Sequence, residues 1–304
     1  MHTSMRRGFT LVEMLVVIII IGILAAILVP TIGIAIRRAR VTKIALEISQ
    51  LDQAVEAYKT LYTDYPPDFS NRAVVERHIR KAFPRISSKE FTIAQNLFWN
   101  PSQVDPAEAL VFWLGGFSAD PRRPFTGPGG PFVLVNASTG QYALNADRNA
   151  PMFPFAEDRL TIYLADPATG APSATGVPMS NDEQEVHSQA MTKNDLFPIY
   201  YPANVGAPYV YFDSRTYGMA ASVERYPPAS YGSTSIVGVV SPYFSDLPTQ
   251  RYMNKKTFQI VSSGLDSEYG VIGGSFPSGN GNDKADRDNI ANFSEGATLG
   301  DKVP

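Results

Sequence analysis

Arg6-Arg7-Gly8-Phe9-Thr10-Leu11-Val12-Glu13-Met14-Leu15-Val16 opens an apolar stretch that runs from Phe9 to Val29 with Glu13 as its one charge. As a helix rising 1.5 Å per residue these positions reach roughly 32 Å, the thickness of the hydrocarbon layer of a bilayer. The stretch therefore reads as a membrane span. A secretory signal would be shorter and would meet a small-x-small cleavage site before polar sequence. Here Gly22-Ile23-Leu24-Ala25-Ala26-Ile27-Leu28-Val29 continues apolar to Pro30. A plain anchor accounts for the length and leaves Glu13 unexplained, because an intramembrane carboxylate is costly unless paired or neutralised. The alternative is an acid close enough to the membrane surface to snorkel.

Working outward, Ile44, Ile48, Leu51, Val55, Tyr58 and Tyr62 recur at steps of four and three, one stripe of a helix. Lys43, Glu47, Gln50 and Lys59 fall on the opposite, polar face, and Pro66-Pro67 is expected to end the helix. One helix from about 10 to 62 is thus predicted, lipid-soluble in its first half and amphipathic in its second. Three shorter helices follow: 71–82 capped by Ser70, 88–98 opened by a Ser87/Glu90 capping box, and one that starts at Asp105-Pro106-Ala107-Glu108 and stops at Gly115-Gly116. Strand-like runs appear at 131–135, 160–164, 209–213, 235–240 and 257–261, with 165–182 expected to be a surface loop. Helices first and strands later predict an α+β fold with a mostly antiparallel sheet.

The 304 residues carry a net charge of −3, which argues against nucleic acid as a partner, since neutralising phosphates takes a basic surface. With no cysteine, disulfides, thiolate-bound metals and thiol catalysis are excluded. Phosphate-binding loops, the Gly-x-Ser-x-Gly elbow and the His-Glu-x-x-His motif are missing. Of three histidines, His2 precedes the apolar run, His78 reads as a surface or partly buried helix residue and His187 as a loop residue. No enzyme chemistry has residues to stand on. Acids do cluster near the C-terminus, where the strand 257–261 runs into Ser263-Gly264-Leu265-Asp266 and later Asp286-Arg287-Asp288. A hard cation wants six to eight oxygens of this type, although the spacing is not that of an EF-hand and such acids also occur as solvated loop residues.

The N-terminal run resembles the class III signal of type IV pilins and type II secretion pseudopilins. In that family a prepilin peptidase cuts after the glycine, here Gly8, and methylates the new terminal phenylalanine, here Phe9. The resemblance implies a cleaved leader over 1–8, a pilin-type helix over 9–62 with 9–29 in the membrane, and a globular α+β domain over 63–304. It makes Glu13 an assembly residue, its carboxylate meeting the terminal ammonium of a neighbouring subunit as the chains self-associate into a helical filament. Further implied partners are the inner-membrane secretion platform and minor pseudopilins, with the globular domain in the periplasm. The flanking cations point the other way: Arg6 and Arg7 face Arg37, Arg38, Arg40 and Lys43, which by count alone would put the large domain in the cytoplasm. The peptidase motif is the more specific signal.

The segment 262–290 resembles the C-terminal calcium loop of the major pseudopilin. That likeness implies calcium, with Asp266 at the first acid, Asp286 and Asp288 near the later ones and the Ser263 carbonyl as a further ligand. Val271 through Ala285 replace a shorter connection there, and the middle of the chain, roughly 65 to 255, makes it much longer than a typical major pseudopilin. The expected function is a structural subunit of a type II secretion pseudopilus. The alternatives are a type IV pilin, a minor pseudopilin, or a membrane-anchored binding protein or enzyme with a pilin-type leader.

Overall fold

The computed structural model describes residues 10–99, 104–166, 169, 171–180, 195–219, 225–227, 237–246, 248–270, 274–276 and 285–302. Helix α1 (Leu11–Tyr62) is continuous over 52 residues. Pro30 lies inside it and leaves it unbroken, and next to the missing N–H the Thr31 hydroxyl donates to the Leu28 carbonyl at 2.8 Å. The helix ends before Pro66-Pro67, at Thr63, whose φ of 63° turns the chain into the left-handed region. Helices α2 (Arg72–Ala82), α3 (Ser88–Trp99) and α4 (Ala109–Leu114) follow. Asn71, not Ser70, caps α2, accepting from Val74 N. The Ser87 hydroxyl accepts from Glu90 N, but the Glu90 carboxylate does not complete a box: it turns inward to accept from the backbone of Phe125 and Thr126.

Among the described residues the strands pair antiparallel in four small sheets rather than one. Two hairpins, β1 (Phe132–Asn136) with β2 (Gln141–Leu144) and β3 (Ile162–Ala165) with β4 (Val177–Ser180), lie side by side. Strand β4 falls inside the stretch expected to be loop. The central sheet joins β5 (Val210–Asp213), β8 (Phe258–Ser262) and β9 (Ile290–Ala291) in the order β5-β8-β9, and β6 (Phe244–Asp246) pairs with β7 (Arg251–Tyr252). The expected strand at 235–240 is corrected: its described part, 237–240, forms no strand but a bridge from Val240 to Tyr226, with single backbone bonds from Tyr269 N to the Val237 carbonyl and from Val239 N to the Gly270 carbonyl.

The core forms where the helical stripe meets the central sheet. Ile44, Ile48, Leu51, Val55 and Tyr58 are buried against α4, β8 and β9, alongside Trp113, Phe112 and Ile260. Trp113 donates its indole N–H to the Pro67 carbonyl at 2.9 Å, tying α4 to the turn that follows α1. On the sheet's other side Val210, Phe212, Val261 and Tyr226 build a second cluster with Tyr243 and Tyr269. Both strands are buried on both faces, so apolar side chains fall on either side of β5 and β8, with Asp213, Gln259 and Ser262 as buried polar exceptions.

Candidate functional site

Gly8 and Phe9 lie outside the described residues, so the site begins at Thr10. Its side chain caps α1 by accepting from Glu13 N at 3.2 Å, and Glu13 answers: its carboxylate accepts from Thr10 N at 2.7 Å and the Thr10 hydroxyl at 2.8 Å. This reciprocal box satisfies helix-start donors that would otherwise be orphaned. From Thr10 to Arg40 every residue is exposed, including Leu15, Ile20, Leu24 and Leu28. That half of α1 is the one helix among the described residues long and apolar enough to cross a membrane.

Docking on the globular domain starts at Val41 and is fastened at Glu47. The Glu47 carboxylate accepts two bonds from Arg159 (2.8 and 2.6 Å), one from the Tyr200 hydroxyl (3.0 Å) and one from the Tyr209 hydroxyl (2.6 Å). The Arg159 guanidinium also lies over the Tyr200 ring, 4.4 Å from its centroid. Burial pushes Glu47 up, but Arg159 and the two phenols outweigh it and hold the carboxyl below its ordinary value. The same carboxylate helps burial raise Tyr200 to about 12. Glu47, read from sequence as part of the polar face, is thus a part-buried clamp. Lower down, Asn292 beside β9 donates to Asp52 at 2.9 Å.

A second polar cluster holds the far end of α1. Arg215, after β5, donates to Asp64 (2.8 Å), to Asp213 (2.6 Å) and to the Tyr65 carbonyl (2.6 Å). The Asp68 carboxylate accepts from Asp213 N and the Thr216 hydroxyl. His78 is fully buried, not at the surface, with Nε2 2.8 Å from the Tyr58 hydroxyl, and burial lowers its pKa. His187 lies outside the described residues.

In the C-terminal acidic loop the four expected ligands separate. Asp266 and Asp288 come together: the Asp288 carboxylate accepts from Leu265 N (2.7 Å) and Asp266 N (3.2 Å), and its other oxygen, Oδ1, is buried with no hydrogen-bond partner. Gly264 makes this approach possible, because at φ +72° a side chain would run into the Asp288 carbonyl. Burial and the facing Asp288 push Asp266 up to about 6. Asp286 does not join them. It is buried on the opposite side, accepting from the Tyr243 hydroxyl at 2.9 Å. Ser263 keeps its hydroxyl buried and unpartnered beside the turn. Among the described residues no three histidine, cysteine or acidic side chains converge.

Comparison with known proteins agrees with the helix. Residues 3–29 match the model of the prokaryotic N-terminal methylation motif. The chain is 39% identical over 66 residues to the type II secretion system core protein G of Klebsiella michiganensis, covering 22% of this chain and 46% of that one. Against the Escherichia coli core protein G the figures are 41% over 64 residues, 21% and 44%. Against the type IV major fimbrial protein FimA of Dichelobacter nodosus they are 43% over 53 residues, 17% and 34%. The chain therefore spans less than half the length of the curated relatives it matches. No solved structure matches it significantly. The N-terminal segment is similar to those of pilins and pseudopilins, and it stands on an α+β scaffold.

Proposed function

We propose that the chain is a structural subunit that a prepilin peptidase cuts between Gly8 and Phe9 and that then polymerises through α1 into a pseudopilus of the type II secretion kind. The observation that carries this reading is the 30-residue exposed apolar half of α1, continuous with a half that is firmly docked. A monomer gains nothing from stiffening an apolar rod it does not bury, whereas a membrane followed by a bundle of identical helices gives every face a partner. Glu13 supports it: a carboxylate held in readiness on its own helix cap can exchange that cap for a neighbour's terminal ammonium. A type IV pilin is the second reading, favoured by the likeness to the fimbrial protein. The relatives are structural proteins, and we infer a structural rather than an enzymatic role here. The globular domain would stand in the periplasm, anchored in the inner membrane until assembly. Mass spectrometry of the chain expressed with a prepilin peptidase tests the reading: the mature protein begins at a methylated Phe9 and Gly8→Val stays full length. An intact Met1 beside an active peptidase overturns it.

Calcium is proposed for the loop in a reduced form. Asp266 and Asp288, with the orphaned Asp288 Oδ1, fit a hard cation and supply part of the oxygen shell it wants. Asp286, turned into the core, is not one of its ligands.

A further inference from the structure

Beside the two outer hairpins the fold leaves a groove on the globular domain, away from the exposed half of α1. It measures about 600 Å³, within the range of small-molecule sites. Phe153, Phe155 and Leu160 lead into it, Ile162 and Leu164 of β3 form one wall and Leu144 of β2 contributes to another. Ile162 and Leu164 stay 41% and 47% exposed, so the groove opens to solvent along β3. Apolar surface left open in this way marks a binding site more often than an accident of packing.

Two charged residues line it, Arg148 and Glu157. Glu157 is exposed to solvent. Arg148 is different, because its guanidinium donates only to carbonyls: Val111 (2.9 Å), Phe112 (2.5 Å) and Gly116 (3.1 Å from Nε, 2.8 Å from Nη2). Among the described residues no carboxylate pairs with it. Four of its five N–H groups are used, leaving one on Nη1. Burial without a counter-ion pushes its pKa down to about 9, so it remains a cation at neutral pH. A part-buried cation held only by carbonyls, in the wall of an apolar groove, suits an occupant that brings the missing charge.

We propose that this groove binds a small amphiphile with one carboxylate head and an apolar tail, the head on Arg148 and the tail along Leu160, Ile162 and Leu164. The test does not depend on filament assembly. The full chain, held in nanodiscs, is photolabelled with decanoate carrying a diazirine, and labelled peptides are mapped by mass spectrometry, with label in α1 as the internal reference for partition into lipid. Label is expected on 153–164, displaced by unlabelled decanoate and not by decanol. Arg148→Met should cut that label roughly tenfold, the loss of one charge-assisted contact. Because Arg148 also braces the end of α4, Leu164→Asp provides a second variant: it leaves the guanidinium in place, sets a like charge in the tail channel and should remove the label without lowering the thermal midpoint. Groove label no greater than on the rest of the domain, or equal displacement by decanol, overturns the proposal. So does displacement by an apolar peptide with a free C-terminus where decanoate fails.

Discussion

The two halves of α1 are one continuous helix in two different situations. From Leu11 to Arg40 all residues are exposed, whereas from Ile44 to Tyr58 a stripe is buried to within a few per cent of completely. The outer half owes its helicity to composition and its N-terminal box, packs on nothing among the described residues, and would find its partners in the proposed filament. The inner half is held by the domain. Stability and assembly should therefore be separable along a single element.

The largest effect expected from breaking that separation falls on assembly. Glu13→Val should insert and be cleaved, since losing a charge eases membrane entry, yet fail to enter fibres in a shear or cross-linking assay. Assembly at the wild-type level would remove the pairing role. Next comes the inner stripe: Leu51→Ala should cost about 2–5 kcal/mol by leaving a cavity, while Ile20→Ala in the outer half shifts the domain's unfolding midpoint not at all. A comparable shift at Ile20 would show that the halves are coupled. The clamp follows: Glu47→Ala leaves the part-buried Arg159 cation with only the Tyr201 carbonyl and should cost about 1.5–3 kcal/mol in denaturant unfolding of the globular domain.

The smallest effect lies in the acidic loop. Asp266 is raised to about 6 in the folded chain, above its unfolded value, so its contribution is present at low pH and lost as pH rises through 6. Asp266→Asn should match wild type below pH 4 and exceed it at pH 7, by about 1 kcal/mol or less once solvent screening is allowed for. Calcium should relieve the same repulsion in wild type at pH 7, read as a higher melting temperature than in chelator, and Asp288→Ala should abolish that gain. Equal melting temperatures in calcium and chelator would leave the loop without an ion.

How far each feature was legible depended on whether a pattern or a partner defines it. The stripe Ile44 to Tyr62 is periodic, so α1 could be read almost to the residue. Strands β5 and β8 were legible because both of their faces are buried. Strand β4 was not: Val177-Pro178-Met179-Ser180 follows a stretch rich in Gly, Pro and Ala, and is a strand only because β3 pairs with it. Glu47 escaped for a similar reason. A charge on a polar face looks solvated until Arg159, 112 positions later, arrives to pair with it. In the acidic loop, the likeness to the calcium loop implied that Asp286 and Asp288 act together. The 3-10 turn at Ala285–Arg287 instead sends them apart.

The lengthwise docking of α1 has a mechanical consequence. A pull along the helix axis, such as extraction from a bilayer would exert, meets the Glu47 clamp, the Ile44-to-Tyr58 stripe and the Arg215 cluster at Asp64 together, as a joint loaded in shear. A sideways pull on the outer half would instead load the clamp first and peel the helix away one turn at a time. The bidentate pair between Glu47 and Arg159 sits at the end where such peeling would begin, and so protects the joint in its weaker direction.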